Sequence, residues 1–137
     1  TGAVTLTGVT DGTTGVVNKV GAGTLTFTGG SNFTGTVNID GGRVVLQDVY
    51  GGDLDAAAVN VNSGGTFQFG VAAGENPDLP GTTVININPG GAVEWRIGES
   101  LGPVNLLGGT LTLNGGVPTA GATQSYTSGT LTATVAG

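Results

Sequence analysis

The chain of 137 residues has no cysteine, no methionine and no histidine, and only 9% of its residues are charged. Without cysteine there is no disulfide, no thiolate chemistry and no cysteine-based metal site. Without histidine as well, the Ser/His/Asp and Cys/His mechanisms are excluded. Lys19, Arg43 and Arg96 are the whole basic complement, set against nine acidic residues, for a formal net charge of −6. Three scattered cations cannot form the footprint that a phosphate backbone requires, so nucleic acid is excluded as a partner. No apolar run approaches the roughly 20 residues of a membrane-spanning helix, so no membrane insertion is expected. The start, Thr1-Gly2-Ala3-Val4, carries neither the basic nor the long apolar stretch of a signal peptide.

Glycine is what the chain has in excess, with 29 residues. It follows no every-third-residue period, which excludes collagen. Val, Ile, Leu and Thr recur in short alternating runs that disordered chains lack and strands favour. One unit repeats: glycine, any residue, apolar, any residue, apolar. It reads Gly2-Ala3-Val4-Thr5-Leu6, Gly23-Thr24-Leu25-Thr26-Phe27, Gly42-Arg43-Val44-Val45-Leu46 and Gly65-Thr66-Phe67-Gln68-Phe69. Three more copies are Gly91-Ala92-Val93-Glu94-Trp95, Gly109-Thr110-Leu111-Thr112-Leu113 and Gly129-Thr130-Leu131-Thr132-Ala133. The anchoring glycines are roughly 20 residues apart, which suits one solenoid turn per copy.

A second strand precedes most of these glycines: Val37-Asn38-Ile39, Val59-Asn60-Val61, Ile85-Asn86-Ile87 and Val104-Asn105-Leu106, with Val17-Asn18 as a weaker version. The period of two puts the apolar pair inward and the asparagine outward. Between the strands stand Asp40-Gly41-Gly42, Asn62-Ser63-Gly64-Gly65, Asn88-Pro89-Gly90-Gly91 and Leu107-Gly108-Gly109, which are corner sequences. A sandwich or meander of hairpins would also show Asp-Gly and Gly-Gly turns. It would not repeat the same apolar pair and the same asparagine once per unit.

The expected fold is therefore all-β: a right-handed parallel β-helix, or β-solenoid, of six to seven coils, forming a single domain over residues 1–137. Its first core column is Val4, Leu25, Val44, Phe67, Val93, Leu111 and Leu131, and its second is Leu6, Phe27, Leu46, Phe69, Trp95 and Leu113. Asn18, Asn38, Asn60, Asn86 and Asn105 should stack as an exterior ladder whose amides hydrogen-bond along the solenoid axis.

Residues 19–46, from Gly21-Ala22-Gly23-Thr24-Leu25-Thr26-Phe27-Thr28-Gly29 through Asn32-Phe33-Thr34-Gly35 to Gly41-Gly42-Arg43-Val44-Val45-Leu46, resemble the autotransporter-associated β-strand repeat. The resemblance implies a right-handed β-helix at, or released from, a bacterial surface, within the passenger domain of an adhesin or a related large surface protein. It brings no catalytic residues. From Val59 to Val135 it is partial, because the Asn-x-Phe-x-Gly connector does not recur.

The candidates for chemistry are few. Asp48, Asp53 and Asp55 flank a Gly-Gly pair and offer oxygen ligands for a weak calcium site, the one cofactor in view. They lack the EF-hand order and the calcium-binding solenoid repeat. Asp53 and Asp55 have no visible device for raising a carboxyl pKa, as a glycosidase acid requires, so the expectation is a protein that is not an enzyme. The segments from Gln47 to Ala58 and from Gly70 to Thr83 exceed a minimal coil and are where a function could be grafted. Phe33, Tyr50 and Tyr126 would form a sugar platform only if the fold brought them together. Thr5, Thr26, Thr112 and Thr132 share an outward column interrupted by Val45, Gln68 and Glu94, so a regular threonine array is not expected. Neither terminus shows a polar cap, so the expected partners are neighbouring solenoid segments or further copies stacked head to tail. The functional expectation is an extracellular scaffold or surface fibre, with an adhesin or glycan-binding module for a glycan or host-surface ligand as the alternative.

Overall fold

A computed structural model describes residues 4–7, 15–29, 33–47, 54–71, 79–96, 102–114 and 125–134. Eleven strands follow one another: β1 (Val4–Thr7), β2 (Val16–Lys19), β3 (Thr24–Thr28), β4 (Thr36–Ile39), β5 (Gly42–Leu46), β6 (Ala58–Val61), β7 (Gly65–Phe69), β8 (Val84–Ile87), β9 (Ala92–Trp95), β10 (Val104–Asn114) and β11 (Ser125–Thr134). From β1 to β9, strands adjacent in sequence do not pair. β1, β3, β5, β7 and β9 stack in one series and β2, β4, β6 and β8 in another, and β10 joins the two, with β11 beside it. Every pairing is parallel. A hairpin meander would be antiparallel, so the architecture is the right-handed parallel β-solenoid.

The number of coils is corrected. The solenoid has about four turns, not six to seven. Strand, corner and second strand occur in β2/β3, β4/β5, β6/β7 and β8/β9, whereas β1 is a single strand and β10 and β11 each run on without an interruption. Counting glycine-led copies overcounts turns because, among the described residues, the copies in β1, β10 and β11 do not follow a separate first strand. In β10 the corner is Leu107-Gly108-Gly109, which lacks the Asn or Asp that ends the strand in the three preceding corners.

The corners explain why glycines come in pairs. Gly64 and Gly90 have φ of 80° and 77°, which turns the chain where a Cβ would be strained. The glycine that follows has no room for a side chain. A Cβ on Gly65 would lie 2.2 Å from the carbonyl oxygen of Ile39, and one on Gly91 2.3 Å from that of Val61. Those same carbonyls accept the N–H groups of Asn62 and Asn88 at 2.9 Å, so they cannot retreat. Close stacking of one corner on the next thus dictates the glycine at the start of these two copies.

Inside, Leu25, Val44, Phe67, Val93 and Leu111 form one buried column, and Phe27, Leu46, Phe69 and Trp95 a second, with Leu113 partly buried against it. Val4 and Leu6 stand in register with Leu25 and Phe27. The other series supplies Val37, Val59, Ile85 and Val104, and then Ile39, Val61, Ile87 and Leu106. Burial of each large side chain stabilises the fold by roughly 1.5 to 3 kcal/mol. Phe69 and Trp95 stack with centroids 3.9 Å apart and rings 5° from parallel, which is the geometry that in-register turns impose. Leu131 departs from the expected core column: it is in register with Leu111 but 49% exposed, because among the described residues β11 has a neighbour on one side only.

The described ends of the two long segments contribute to the core. Leu54, Ala56 and Leu79 are buried in the core beside Phe33, and Thr83 is buried with its hydroxyl donating to the Ala56 carbonyl at 2.6 Å. The described parts of these segments therefore close the third side of the solenoid.

Candidate functional site: amide ladders and the charged outer face

The asparagines in the middle of β2, β4, β6, β8 and β10 are paired residue for residue by the strand register. Apolar neighbours on both sides in β4, β6, β8 and β10, and Val17 in β2, pack toward the core, so each amide faces out at the strand spacing. Asn38 Nδ2 donates to Asn18 Oδ1, Asn60 to Asn38, Asn86 to Asn60 and Asn105 to Asn86, each at 2.8 Å. All five asparagines are brought together in one ladder with one direction: Asn38, Asn60 and Asn86 each donate to the preceding turn and accept from the following one.

A second ladder lies at the corners. Asn62 Nδ2 donates to Asp40 Oδ1 at 2.6 Å and Asn88 Nδ2 to Asn62 Oδ1 at 2.7 Å. Read singly, these residues are turn formers. The signal that finds the ladder is their common distance from the strand asparagine, two residues upstream in each case.

The outward face of the other series carries a charged cluster that single-strand reading also misses. Arg43 on β5 reaches across β7 to Glu94 on β9. Its Nη1 and Nη2 donate to Oε2 and Oε1, both at 3.0 Å, and Nη1 also donates to Gln68 Oε1. Arg96 adds a bond to Glu94 Oε2 at 2.8 Å. The hydrogen bond from Arg43 holds the Glu94 carboxyl below its ordinary pKa; burial opposes that effect and the hydrogen bond from Arg96 adds to it. Gln68, which donates to the Gly70 carbonyl, and Val45 are each only 6% exposed although both stand in the outward column. With Glu94 tied between two guanidinium groups, the middle of the threonine column is interrupted as expected.

The sugar platform is not formed by the residues considered: Phe33 is in the core, Tyr126 is exposed on β11, and Tyr50 lies outside the described residues. Of the calcium candidates, Asp48 and Asp53 lie outside the described residues, and Asp55 is half-buried between Leu54 and Ala56. Among the described residues no three acidic side chains converge. An open cavity of about 340 Å³, lined by Asn18 to Leu25, lies at the corner between β2 and β3. Lys19 crosses this corner and donates to the carbonyls of Val20, Gly21 and Gly41 at 2.8 to 3.0 Å.

Residues 17–46 match the family model of the passenger-associated-transport-repeat. The match spans β2 to β5 and bears out the autotransporter-passenger resemblance carried by residues 19–46. No curated protein and no solved structure matches the chain. The repeat gives the solenoid an extracellular or cell-surface location. Among the described residues no helix is long and apolar enough to cross a membrane.

Proposed function

We propose that the chain is a structural stretch of an extracellular surface scaffold, a spacer whose task is its own stiffness, and that it is not an enzyme. The observation that supports this most is the unbroken series of five asparagines, whose polar side chains bond to one another rather than converging on a ligand. The charged cluster is likewise turned inward on itself, with one carboxylate held by two guanidinium groups. Stacking at the strand spacing of about 4.8 Å per turn lengthens such a rod in small, regular steps. Neighbouring solenoid segments are the partners that this arrangement suits, either further along one polypeptide or in another copy.

The adhesin reading rests on the segments between β5 and β6 and between β7 and β8, where a glycan or host-surface ligand would be met. A glycan array probed with the purified chain separates the two readings. The scaffold predicts no saturable binding, together with straight rods when the chain is displayed on cells and viewed by electron microscopy. Saturable capture of one glycan class would overturn it in favour of the adhesin.

A further inference from the structure

β4, β6, β8 and the start of β10 present one outer face along the side of the solenoid. Thr36, Ala58 and Val84 stand in register in one file and the ladder asparagines in the next. Over β6, β8 and the start of β10 no outward residue of this face is charged, although the chain as a whole has a formal net charge of −6. The carboxylate at the β4 corner, Asp40, has Lys19 at the same corner, whose Nζ donates to the Gly41 carbonyl at 3.0 Å. On this side two copies approach without the like-charge repulsion that their net charge brings.

The asparagine file selects the partner. Asn38, Asn60 and Asn86 each use one amide hydrogen and one oxygen lone pair within the ladder, which leaves each a second hydrogen and a second lone pair. These groups recur at the strand spacing of about 4.8 Å, so a partner that meets them in series must repeat at the same interval. An extended peptide laid along the axis does not, because its residues rise about 3.3 Å each and alternate in direction. A second solenoid does. A file of amides, every one both donor and acceptor, also complements its own copy, which is the condition for an isologous pair.

We propose that the asparagine face is a lateral interface on which a second copy of this chain packs side by side, turn against turn. This contact runs along the rod and does not involve its ends. Leu107, 39% exposed, and the partly exposed Ala58 and Val84 add apolar area to it. Four stacked strands of about four residues give a face of roughly 250 Å² per copy, against about 800 Å² in a stable complex of standard size. Pairing of this chain is therefore weak, with a Kd on the order of a millimolar, and strengthens as turns are added.

The lateral face rests on the scaffold reading and deepens it. Glycan capture would overturn the scaffold and leave the pairing standing, since the pairing is measured without glycan; its failure would overturn the pairing alone. The chain has no cysteine, so one introduced cysteine carries a spin label at a single place. Ser63→Cys puts the label at the edge of the asparagine face, and Thr26→Cys puts it on the other series. Each labelled chain is mixed at millimolar concentration with the isotope-labelled natural chain and followed by NMR. The Ser63→Cys label should broaden the side-chain amides of Asn60 and Asn86 in the other copy, and the Thr26→Cys label should not. Ala58→Glu and Ala58→Lys, each made in both copies, should reduce the broadening severalfold while the melting transition stays in place. Pairing an Ala58→Glu copy with an Ala58→Lys copy should restore it. No broadening at millimolar chain, equal broadening from the two label positions, or broadening unchanged by both Ala58 substitutions would each overturn the proposal.

Discussion

Gly109-Thr110-Leu111-Thr112 and Gly129-Thr130-Leu131-Thr132 are the same four residues, aligned with each other in the same parallel register. Leu111 is 1% exposed and Leu131 49%. The difference is position: β10 lies between β9 and β11, while among the described residues β11 touches β10 alone. Burial in a solenoid is conferred by the turns on either side and not by the sequence of the turn itself, so identical repeats carry unequal shares of the stability.

The strongest way to break this comparison is a charge in the middle against a charge at the edge. Phe67→Asp would place a carboxylate in a fully buried, apolar column, and it should abolish the cooperative unfolding transition seen by circular dichroism. Leu131→Asp should leave that transition in place. Truncation gives the graded version: Leu111→Ala should cost about 2 to 5 kcal/mol in urea denaturation, and Leu131→Ala under about 1 kcal/mol. Equal costs would mean that β11 is covered as well as β10 is.

The ladder offers a finer contrast. Asn60 both donates and accepts within it, whereas among the described residues Asn105 only donates to Asn86. Asn60→Ala should therefore lower stability by about 1 to 3 kcal/mol, and Asn105→Ala by roughly half as much. The smallest effect is expected from the charged face. Because Glu94 has a lowered pKa in the folded chain, the unfolded chain binds its proton more tightly. Its contribution is fully present above the ordinary glutamate pKa of about 4.3 and is lost as pH falls through the lower folded value. Partly exposed pairs of this kind contribute about 1 kcal/mol or less. Urea midpoints measured between neutral and acid pH should fall less steeply for Glu94→Gln than for the natural chain.

Much of the solenoid was legible because its rules are local and repeated. Period-two alternation marks the inward positions that are buried from Leu25 to Leu111 and from Phe27 to Trp95, and the glycine pairs mark the corners whose carbonyl contacts exclude a Cβ. The ladder was legible because Asn18, Asn38, Asn60, Asn86 and Asn105 recur at one position of one strand type. The turn count was not, since seven copies of one strand do not require seven complete turns. The third wall of the core was also hidden. Phe33, Leu54 and Leu79 stand in segments of unequal length without alternation, so nothing in their spacing marks them as interior. The Arg43–Glu94 pair was missed for a related reason: the residues are two turns apart and in neighbouring outward columns, and only the observed register brings them within 3.0 Å.

The central claim is that the turns stack in parallel with the asparagines in one continuous file. Solution NMR of the side-chain amides tests it most directly. The account predicts slow exchange for the Nδ2 protons of Asn38, Asn60, Asn86 and Asn105, with cross-peaks linking each to the asparagine of the preceding turn. Solvent-like exchange at these amides, together with the close Hα–Hα contacts of antiparallel strands, would contradict it.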